Sequence, residues 1–329
     1  MIEARYWTAL EDGEVLCELC PHHCRLKDGQ RGICMGRVNE RGRLYTKNYG
    51  EIVSAAVDPI EKKPLYHFYP GSVILSVGPN GCNFRCPYCQ NWEISQAEVR
   101  TTTVSPADLV KAASKDDSIG IAYTYAEPLI WYEYVLECSK LAREAGLVNV
   151  LVTNGFVEEK PLRELLQYVD ALNIDLKSIR ESFYKKLCKA SLAPVLAACK
   201  VAKEKSHLEI TNLIIPGEND SDEDLSELVE WVATNLGKET PLHFSRYFPH
   251  HKMSNPPTPE ATLQKAYRMG KQSLYYCYLG NLYAKNGSDT HCPQCGNTLV
   301  ERNDYSVRIT GIEGRKCSRC GRPVDFVLK

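Results

Sequence analysis

The chain has 329 residues, of which 43% are hydrophobic and 25% charged, a balance that buries a globular core without disulfides. The formal net charge of −1 predicts no bulk attraction to nucleic acid or to an anionic membrane. No apolar run approaches the roughly 20 residues that span a bilayer, and the first residues lack the pattern of a secretory signal. We therefore expect a cytoplasmic protein without membrane contact.

Fifteen cysteines are the unusual feature of this composition. In a reducing compartment, clustered cysteines hold metal more often than they form disulfides. Eleven of the fifteen fall into three tight clusters, which is the arrangement that metal ligation requires. The other four lie alone in apolar or helical surroundings and are predicted to be small buried hydrophobes. They are Cys138, Cys188, Cys199 and Cys277.

The first predicted segment, residues 1–68, is a cysteine-rich metal-binding segment with the spacing Cys17-x2-Cys20-x3-Cys24-x9-Cys34. Four thiolates in so short a stretch predict a bound metal, and either zinc or an auxiliary [4Fe–4S] cluster satisfies them. A full set of four ligands leaves no open position, which favours a structural or electron-relay role. The alternative is a set of free surface cysteines.

In the second predicted segment, residues 69–285, short β-rich runs alternate with helical patterns, and Ser105 is a predicted N-cap. This alternation predicts βαβ units and a parallel sheet. Six strands are predicted, at 72–78, 118–125, 148–154, 170–176, 208–216 and 242–248. Six units are too few for a closed eight-fold barrel, so the expected fold is α/β, a partial (β/α)6 TIM-like barrel. A doubly wound sheet is the alternative.

The strongest motif is GCNFRCPYCQN at 81–91, where Cys82, Cys86 and Cys89 follow directly on the first predicted strand. Three thiolates in one short loop suit a [4Fe–4S] cluster, which normally takes four, so one iron is left open. The carboxyl end of a barrel strand is also where such folds hold their chemistry. The alternative is a zinc site completed by a distant fourth ligand, although zinc sites normally show paired CxxC knuckles.

Polar residues also follow the next three predicted strands. Glu127 follows the second strand, Thr153 and Asn154 end the third, and Asp175 and Lys177 end the fourth. Polar residues at strand ends are loop-forming by default, and Glu-Pro also suits the first turn of a helix. Because parallel strands end at one face of a barrel, these side chains are together predicted to line one site.

The third predicted segment, residues 286–329, carries HCPQCG and KCSRCG. Cys292, Cys295, Cys317 and Cys320 form CxxC-x21-CxxC, and the glycine after each pair permits a tight knuckle turn. This spacing predicts a zinc-ribbon domain, with a single-iron rubredoxin-like site as the rarer alternative.

CNFRCPYC resembles the CxxxCxΦC signature of the radical S-adenosylmethionine (SAM) superfamily, with Tyr88 at the aromatic position. The resemblance implies an anaerobic enzyme in which Cys82, Cys86 and Cys89 hold a [4Fe–4S] cluster that binds SAM at its open iron. It also implies that reductive cleavage of SAM gives a 5′-deoxyadenosyl radical, which abstracts hydrogen from a substrate. The protein then positions SAM and excludes water, while the cofactors supply the chemistry.

Further motifs resemble the radical SAM component of the AmmeMemoRadiSam system and are similar to the pyruvate formate-lyase activating enzyme branch. They run through nearly the whole chain and include CELCPHHC, DPIEKKPLYHF, YTYAEP, LIIPGEND and HFSRYFP. The resemblance implies a low-potential electron donor such as ferredoxin or flavodoxin, and an AmmeMemo-type protein partner. It implies no particular substrate.

The resemblance also implies contacts to SAM. In YTYAEP, Tyr125 and Ala126 stand where the family has two glycines, and Glu127 matches a glutamate that contacts the SAM ammonium group. Lys177 is similar to a lysine that approaches the SAM carboxylate, and Ile215 matches a segment that lines the adenine. The implied cofactor-binding set is Tyr88, Tyr125, Ala126, Glu127, Thr153, Asn154, Asp175, Lys177 and Ile215.

Our main hypothesis is a SAM-cleaving enzyme that generates a radical on an unidentified substrate. Among enzymes, a glycyl-radical activase is the alternative, and it requires a groove that admits a peptide loop. A hypothesis of another class is a zinc-stabilised module without redox chemistry that binds protein or nucleic acid. The sequence lacks the interleaved aromatic and basic residues of a nucleic-acid reader.

Overall fold

The computed structural model describes residues 1–115, 117–282 and 287–328. Six short strands come first: β1 (Ile2–Glu3), β2 (Trp7–Ala9), β3 (Val15–Cys17), β4 (Arg25–Leu26), β5 (Arg37–Glu40) and β6 (Arg43–Thr46). They form two small antiparallel sheets, with the strand orders β1-β6-β5 and β2-β3-β4. The N-terminal cysteines lie in and between these strands.

One large sheet forms the centre of the molecule. Its strands are β7 (Glu51–Pro59), β8 (Val73–Pro79), β9 (Thr102–Thr103), β10 (Gly120–Tyr123), β11 (Val148–Thr153), β12 (Ala171–Asp175), β13 (His207–Ile214), β14 (Leu242–Arg246) and β15 (Cys277–Gly280). Across the described ranges, β8 and β10 to β15 are seven parallel strands, and β7 pairs antiparallel with β8. Their order follows the chain without the reversal of a doubly wound sheet, so the sheet is an open barrel.

Helices connect these strands and pack on them. They are α1 (Trp92–Gln96), α2 (Pro106–Ala113), α3 (Tyr132–Glu144), α4 (Glu159–Leu165), α5 (Glu181–Phe183), α6 (Leu192–Lys205), α7 (Asp222–Asn235) and α8 (Glu260–Ser273), with shorter helical turns at Glu11–Gly13, Ile60–Lys62, Pro128–Trp131 and Tyr184–Cys188. Ser105 Oγ accepts a hydrogen bond from the Asp108 N–H at 3.1 Å, which confirms the predicted cap of α2. In the part of the chain that the structure describes, no helix is long and apolar enough to cross a membrane.

The predicted fold class is confirmed, and the sheet has three further strands, β7, β9 and β15. All six predicted strands are present, as β8 and β10 to β14. The prediction lacks the seventh parallel strand, β15, because its four residues, CYLG, are too few to show a periodicity. The antiparallel strand β7 belongs to the predicted N-terminal segment, yet it pairs along the length of β8. The sheet therefore begins before residue 69.

The C-terminal part, residues 287–328, is a small antiparallel unit. Its strands are β16 (Thr290–His291), β17 (Thr298–Asn303), β18 (Ser306–Ile309), β19 (Ile312–Glu313) and β20 (Lys316–Cys317). Leu299, Val300 and Phe326 form a small core of its own together with cysteines. The unit joins the barrel through Arg302, whose Nη2 donates to the Tyr66 carbonyl oxygen at 2.7 Å. The predicted boundary between residues 285 and 286 lies outside the described residues.

Candidate active site

The three central cysteines lie in the loop that follows β8. Cys86 is buried, and Cys82 and Cys89 are half-buried. The Phe84 N–H donates to Cys82 Sγ at 3.3 Å, and Ser95 Oγ lies 3.3 Å from Cys89 Sγ. Hydrogen bonds to sulfur stabilise thiolates and tune the potential of a cluster that they bind. The loop thus holds its sulfurs in an environment suited to ligation.

The cysteines open into a cavity of about 410 Å³ at the carboxyl ends of the parallel strands, a volume typical of small-molecule sites. Each parallel strand of the described sheet contributes to its lining. The lining includes Cys82, Cys86, Tyr88 and Cys89 after β8, Tyr125, Ala126 and Glu127 after β10, Thr153 and Asn154 at β11, Asp175 and Lys177 at β12, Thr211 and Leu213 from β13, Ser245 from β14 and Asn281 after β15. The fold therefore brings most of the predicted site residues together in one cavity.

Glu127 is the acidic residue deepest in this cavity, with 1% of its surface exposed. Its Oε1 accepts hydrogen bonds from Thr153 Oγ1 at 2.6 Å and from the Leu129 N–H at 3.0 Å, and its Oε2 accepts from the Asn154 N–H at 2.9 Å. Burial raises the pKa of Glu127 to about 7, although these hydrogen bonds oppose the rise. Glu127 therefore caps the helical turn at Pro128–Trp131 and also lines the cavity.

Lys177 and Asp175 form an ion pair beside the cysteines, with 2.9 Å between Nζ and Oδ2. Burial opposes the charged form of Lys177, but Asp175 and Cys86 outweigh it and raise its pKa. A hydrogen bond from Cys188, aided by the Lys177 ammonium, lowers the pKa of the Cys86 thiol. Cys188 is buried, as predicted, but its sulfur lies 3.5 Å from the Tyr88 hydroxyl and not among apolar groups alone.

Ile215 is a predicted SAM contact that does not belong to the cavity lining found among the described residues. It is fully buried, and its N–H donates to Asn219 Oδ1 at 2.7 Å. Because β13 ends at Ile214, Ile215 already lies in the following loop, and Thr211 and Leu213 line the cavity instead. The Thr211 hydroxyl is buried and has no hydrogen-bond partner in the described structure, so it is free to bind a ligand.

Two lysines outside the predicted set, Lys62 and Lys63, also line the cavity. Lys62 Nζ and Lys63 Nζ donate to the Asp58 carboxylate at 2.8 and 2.6 Å, and the Tyr125 hydroxyl donates to it at 2.6 Å. Burial alone would raise the pKa of Asp58, but these three hydrogen bonds lower it. Lys63 Nζ also lies 4.7 Å from the centre of the Tyr125 ring. Lys62 and Lys63 therefore add positive charge to the cavity wall. The alternation of predicted strands and helices gives no indication of this charge.

The residues of the cavity fit a [4Fe–4S] cluster and SAM. Within the described residues, the cavity holds three cysteines and no fourth, so a cubane bound by them keeps one iron accessible. The amino acid part of SAM carries an ammonium and a carboxylate. Glu127, after β10, and Lys177, after β12, offer the opposite charges for these two groups from strands that flank β11. The donor set therefore suits the open cluster that the sequence predicts.

The eight flanking cysteines differ in how closely they approach each other. The sulfurs of Cys292, Cys295, Cys317 and Cys320 all lie within 4.8 Å of one another. The distance is 3.6 Å between the Cys292 and Cys320 sulfurs and 3.7 Å between those of Cys295 and Cys317. Zinc–sulfur bonds of about 2.3 Å in a tetrahedron put sulfurs about 3.8 Å apart, so this set has the geometry of a four-cysteine metal site.

The four N-terminal cysteines lie beside the central loop. The Cys17 N–H donates to the Cys24 carbonyl oxygen at 3.0 Å, which brings the two halves of the motif together. Burial, followed by charge on the nearby Cys17 thiol, raises the pKa of the Cys34 thiol to about 11. Cys20 has a raised pKa for the same reasons, with burial the largest and charge on Cys34 the next. The four predicted ligands therefore converge in a shielded environment.

Comparison with known proteins agrees with this geometry. Residues 77–232 match the model of the radical SAM superfamily. The chain is 45% identical over 336 residues to "Uncharacterized protein MJ0808" of Methanocaldococcus jannaschii, and the alignment covers 100% of both chains. It is 27% identical over 168 residues to the pyruvate formate-lyase-activating enzyme of Listeria monocytogenes, which covers 47% of this chain and 67% of that relative.

The fold has a counterpart among solved structures. A radical SAM methyltransferase from Sphaerobacter thermophilus superposes with a TM-score of 0.51 and 16% sequence identity, over 64% of this chain and 67% of that one. This similarity concerns the fold alone. The family match and the three-cysteine loop at the head of a parallel open barrel together show that the chain belongs to the radical SAM superfamily.

Proposed function

We propose that this radical SAM enzyme binds a [4Fe–4S] cluster through Cys82, Cys86 and Cys89 and cleaves SAM reductively. The observation that supports this most is the opening of three thiols, without a fourth, into a described cavity that also holds a buried carboxylate and an ammonium. When bound, the cluster supplies one electron to SAM, which yields methionine and the 5′-deoxyadenosyl radical that abstracts hydrogen from substrate. Superfamily membership makes the chain an enzyme and not a zinc-stabilised binding module.

The protein's own contribution is to orient SAM and to exclude water. Glu127 is assigned to the SAM ammonium, because it is the most buried carboxylate in the lining of the cavity that the cysteine loop also lines. Lys177 is assigned to the SAM carboxylate, with Asp175 holding the ammonium of Lys177 in position. Asn154 Nδ2 lies 3.7 Å from Cys82 Sγ and positions that ligand. Desolvation strengthens each of these charge interactions.

The partners and the metals of the flanking sites are also proposals. We infer a low-potential donor such as ferredoxin or flavodoxin, because SAM cleavage consumes an electron, and an AmmeMemo-type protein as a further partner. We assign zinc to Cys292, Cys295, Cys317 and Cys320, in a structural role, since four ligands leave no open position. The cytoplasmic location and the three-segment division at residues 68 and 285 remain predictions from the sequence.

The test is 5′-deoxyadenosine formation by anaerobically reconstituted protein supplied with SAM and dithionite. We expect turnover in the wild type and none in Cys82→Ala, Cys86→Ala or Cys89→Ala, each of which should also lose about four irons per chain. Cys199→Ala, which removes a buried thiol in α6, is the matched control and should retain both properties. Protein that binds zinc but no iron at the central loop would contradict the proposal.

A glycyl-radical activase is the second candidate, because several relatives are named as activating enzymes, among them the 4-hydroxyphenylacetate decarboxylase activating enzyme of Clostridium scatologenes. An activase abstracts hydrogen from a backbone glycine of its partner, so it should produce a stable glycyl radical there. Electron paramagnetic resonance of a co-incubated glycyl-radical protein tests this directly. Stoichiometric radical formation favours the activase, and turnover of SAM without it favours another substrate.

A further inference from the structure

The N-terminal cysteines form a set of ligands around a shared space. Cys17, Cys20 and Cys34 are buried, and Cys24 is half-buried. Gly32 lies between two of the sulfurs, because a Cβ on it would lie 3.7 Å from both Cys24 Sγ and Cys34 Sγ. Three enclosed ligands and one partly exposed ligand describe a site that is shielded from water on most sides and reaches the surface at one edge.

The sulfurs of the N-terminal set are spaced differently from those of the C-terminal set. Over the described residues, the four C-terminal cysteines have all their sulfurs within 4.8 Å, whereas the N-terminal four and the central three do not meet that distance. A single tetrahedral ion draws four sulfurs to about 3.8 Å. A cubane binds each cysteine on a different iron, so its ligands stand further apart. The N-terminal set therefore resembles the central loop and not the zinc-type site.

A buried arginine beside the N-terminal set points to a negatively charged occupant. Arg37 is 1% exposed and lies close enough to Cys17 and Cys34 for the charge of their sulfurs to act on it. Its terminal nitrogens bind Glu133 and the Arg5 carbonyl oxygen, but its Nε has no hydrogen-bond partner in the described structure. A buried donor without a partner is costly, and a cluster with four thiolates supplies an anion for it.

The N-terminal set touches the central loop on both sides of Cys82. Gly81 packs so closely on Cys34 that a Cβ there would lie 2.3 Å from the Cys34 carbonyl oxygen, and its φ of +113° also requires glycine. On the other side, His22 Nε2 lies 2.7 Å from the Asn83 carbonyl oxygen. Both residues that flank Cys82 in sequence are thus in direct contact with the N-terminal cysteine motif.

From these contacts we propose that Cys17, Cys20, Cys24 and Cys34 hold a second [4Fe–4S] cluster, which relays electrons from the surface to the central site. The proposal rests on the proposed function, since the relay needs an acceptor at Cys82, Cys86 and Cys89. One electron enters from a low-potential donor protein at the exposed edge by Cys24 and leaves toward the central loop. No bond forms or breaks, and the second cluster returns to its oxidised state in each cycle.

Metal content tests the identity of the site. Anaerobically reconstituted wild-type protein should contain about eight irons and eight sulfides per chain, and Cys20→Ala and Cys24→Ser should each lower both to about four. The loss should remove one paramagnetic signal and spare the signal that SAM perturbs. Cys138→Ala, a buried thiol of α3, is the matched control and should keep all eight irons. A second zinc per chain with only four irons would overturn the proposal.

The choice of reductant tests the relay. For Cys24→Ser that retains its central cluster, the rate of 5′-deoxyadenosine formation with flavodoxin and its reductase should fall about tenfold or more relative to the rate with dithionite. Dithionite is small and can reduce the central site directly. An unchanged ratio of the two rates would overturn the relay. If no central cluster forms even in the wild type, the proposed function itself fails, which the iron content distinguishes.

Discussion

The central cysteine loop and the C-terminal cysteine site use the same ligand in opposite ways. The C-terminal sulfurs close on one another at 3.6 and 3.7 Å inside a unit whose core includes little more than Leu299, Val300 and Phe326. The central sulfurs instead line a cavity of about 410 Å³ at the end of a nine-stranded sheet in the described structure. One site is closed by its ligands, and the other is left open.

The difference follows from which part of the molecule supplies stability. A unit of about 40 residues rarely folds on its core alone and usually needs a metal or disulfides. The barrel buries a continuous core that consists mostly of aliphatic and aromatic side chains. In the C-terminal unit the metal therefore contributes to the stability of the fold. In the barrel, we expect the fold to be stable without the metal and to position the metal ligands. Removing ligands should have opposite consequences in the two regions.

The largest effect is expected at the central loop, on activity and not on folding. Cys86→Ala should reduce 5′-deoxyadenosine formation to the background without protein, because a cubane with two local ligands is not retained. The melting temperature of the apoprotein should change little, since Cys86 lines the cavity at the carboxyl end of the barrel and its replacement by alanine removes a single sulfur. Calorimetry of the wild-type and variant apoproteins measures this. A variant apoprotein that fails to fold would contradict the claim that the barrel, unlike the C-terminal unit, folds without its metal ligands.

The opposite result is expected at Cys295, on local folding. Cys295→Ser should release the C-terminal zinc and unfold residues 290–328, since structural zinc supplies roughly 10–16 kcal/mol in small domains. Limited proteolysis and hydrogen exchange should report the loss in this unit alone. The exposed Ser318→Ala, next to Cys317, is the control that leaves all four ligands. Protection of 290–328 that survives without zinc would show that its small core suffices.

The features that could be predicted from the sequence are those that a short local sequence pattern marks. The central cysteines, Glu127, Asn154 and Lys177 could be assigned to one site because each directly follows a strand run. The C-terminal knuckles could be recognised because two CxxC pairs set their own geometry. In both cases the assignment rests on short local patterns, which are strand ends in the barrel and paired cysteines in the C-terminal unit.

Features that depend on long-range pairing could not be predicted. Asp58, Lys62 and Lys63 reach the cavity region because β7 pairs antiparallel with β8, and nothing in DPIEKK indicates that pairing. Asn281 lines the cavity because the short strand β15 extends the parallel sheet. Ile215 is not in the lining, and β13 ends at Ile214, two residues before the predicted end of that strand at residue 216. Strand length and strand pairing, not residue chemistry, set these limits.

A smaller effect is expected within the open site, at Glu127. If Glu127 binds the SAM ammonium, Glu127→Gln should weaken SAM binding about 10- to 100-fold at pH 7.5, the value of a charge-assisted hydrogen bond. Because the pKa of Glu127 is about 7, its carboxylate becomes charged between pH 6 and 7.5. Wild-type affinity should therefore rise up to about eightfold over this range, which lies below the pKa of the SAM amine.

Anaerobic titration calorimetry with SAM measures this pH dependence. The rise in affinity should vanish in Glu127→Gln and persist in Glu93→Gln, which removes an exposed carboxylate of α1 near the same loop. A rise of equal size in both variants would assign the ammonium of SAM to another group. The result would sharpen the comparison, since the closed C-terminal site has no carboxylate among its ligands.

The smallest effect is expected where the two regions meet, at His67. This fully buried residue of the barrel stacks on Phe326, with ring centres 4.1 Å apart, and its nitrogens lie 2.7 Å from the Asp325 carbonyl oxygen and 2.6 Å from the Tyr278 hydroxyl. Burial lowers the pKa of His67 to about 3. The unfolded chain, with a histidine pKa near 6.5, then binds the proton more tightly than the folded protein.

The stability contributed by neutral His67 is therefore complete above pH 6.5 and is lost as the pH falls toward 3. At pH 5 the loss amounts to about 2 kcal/mol of the free energy of unfolding. Denaturant unfolding at pH 7 and pH 5 should show this drop in the wild type and a drop smaller by about 2 kcal/mol in His67→Gln. His250→Gln, which removes an exposed imidazole, should behave as the wild type. Equal drops in all three proteins would mean that protonation is accommodated at the junction, and that the C-terminal unit docks more loosely than these contacts indicate.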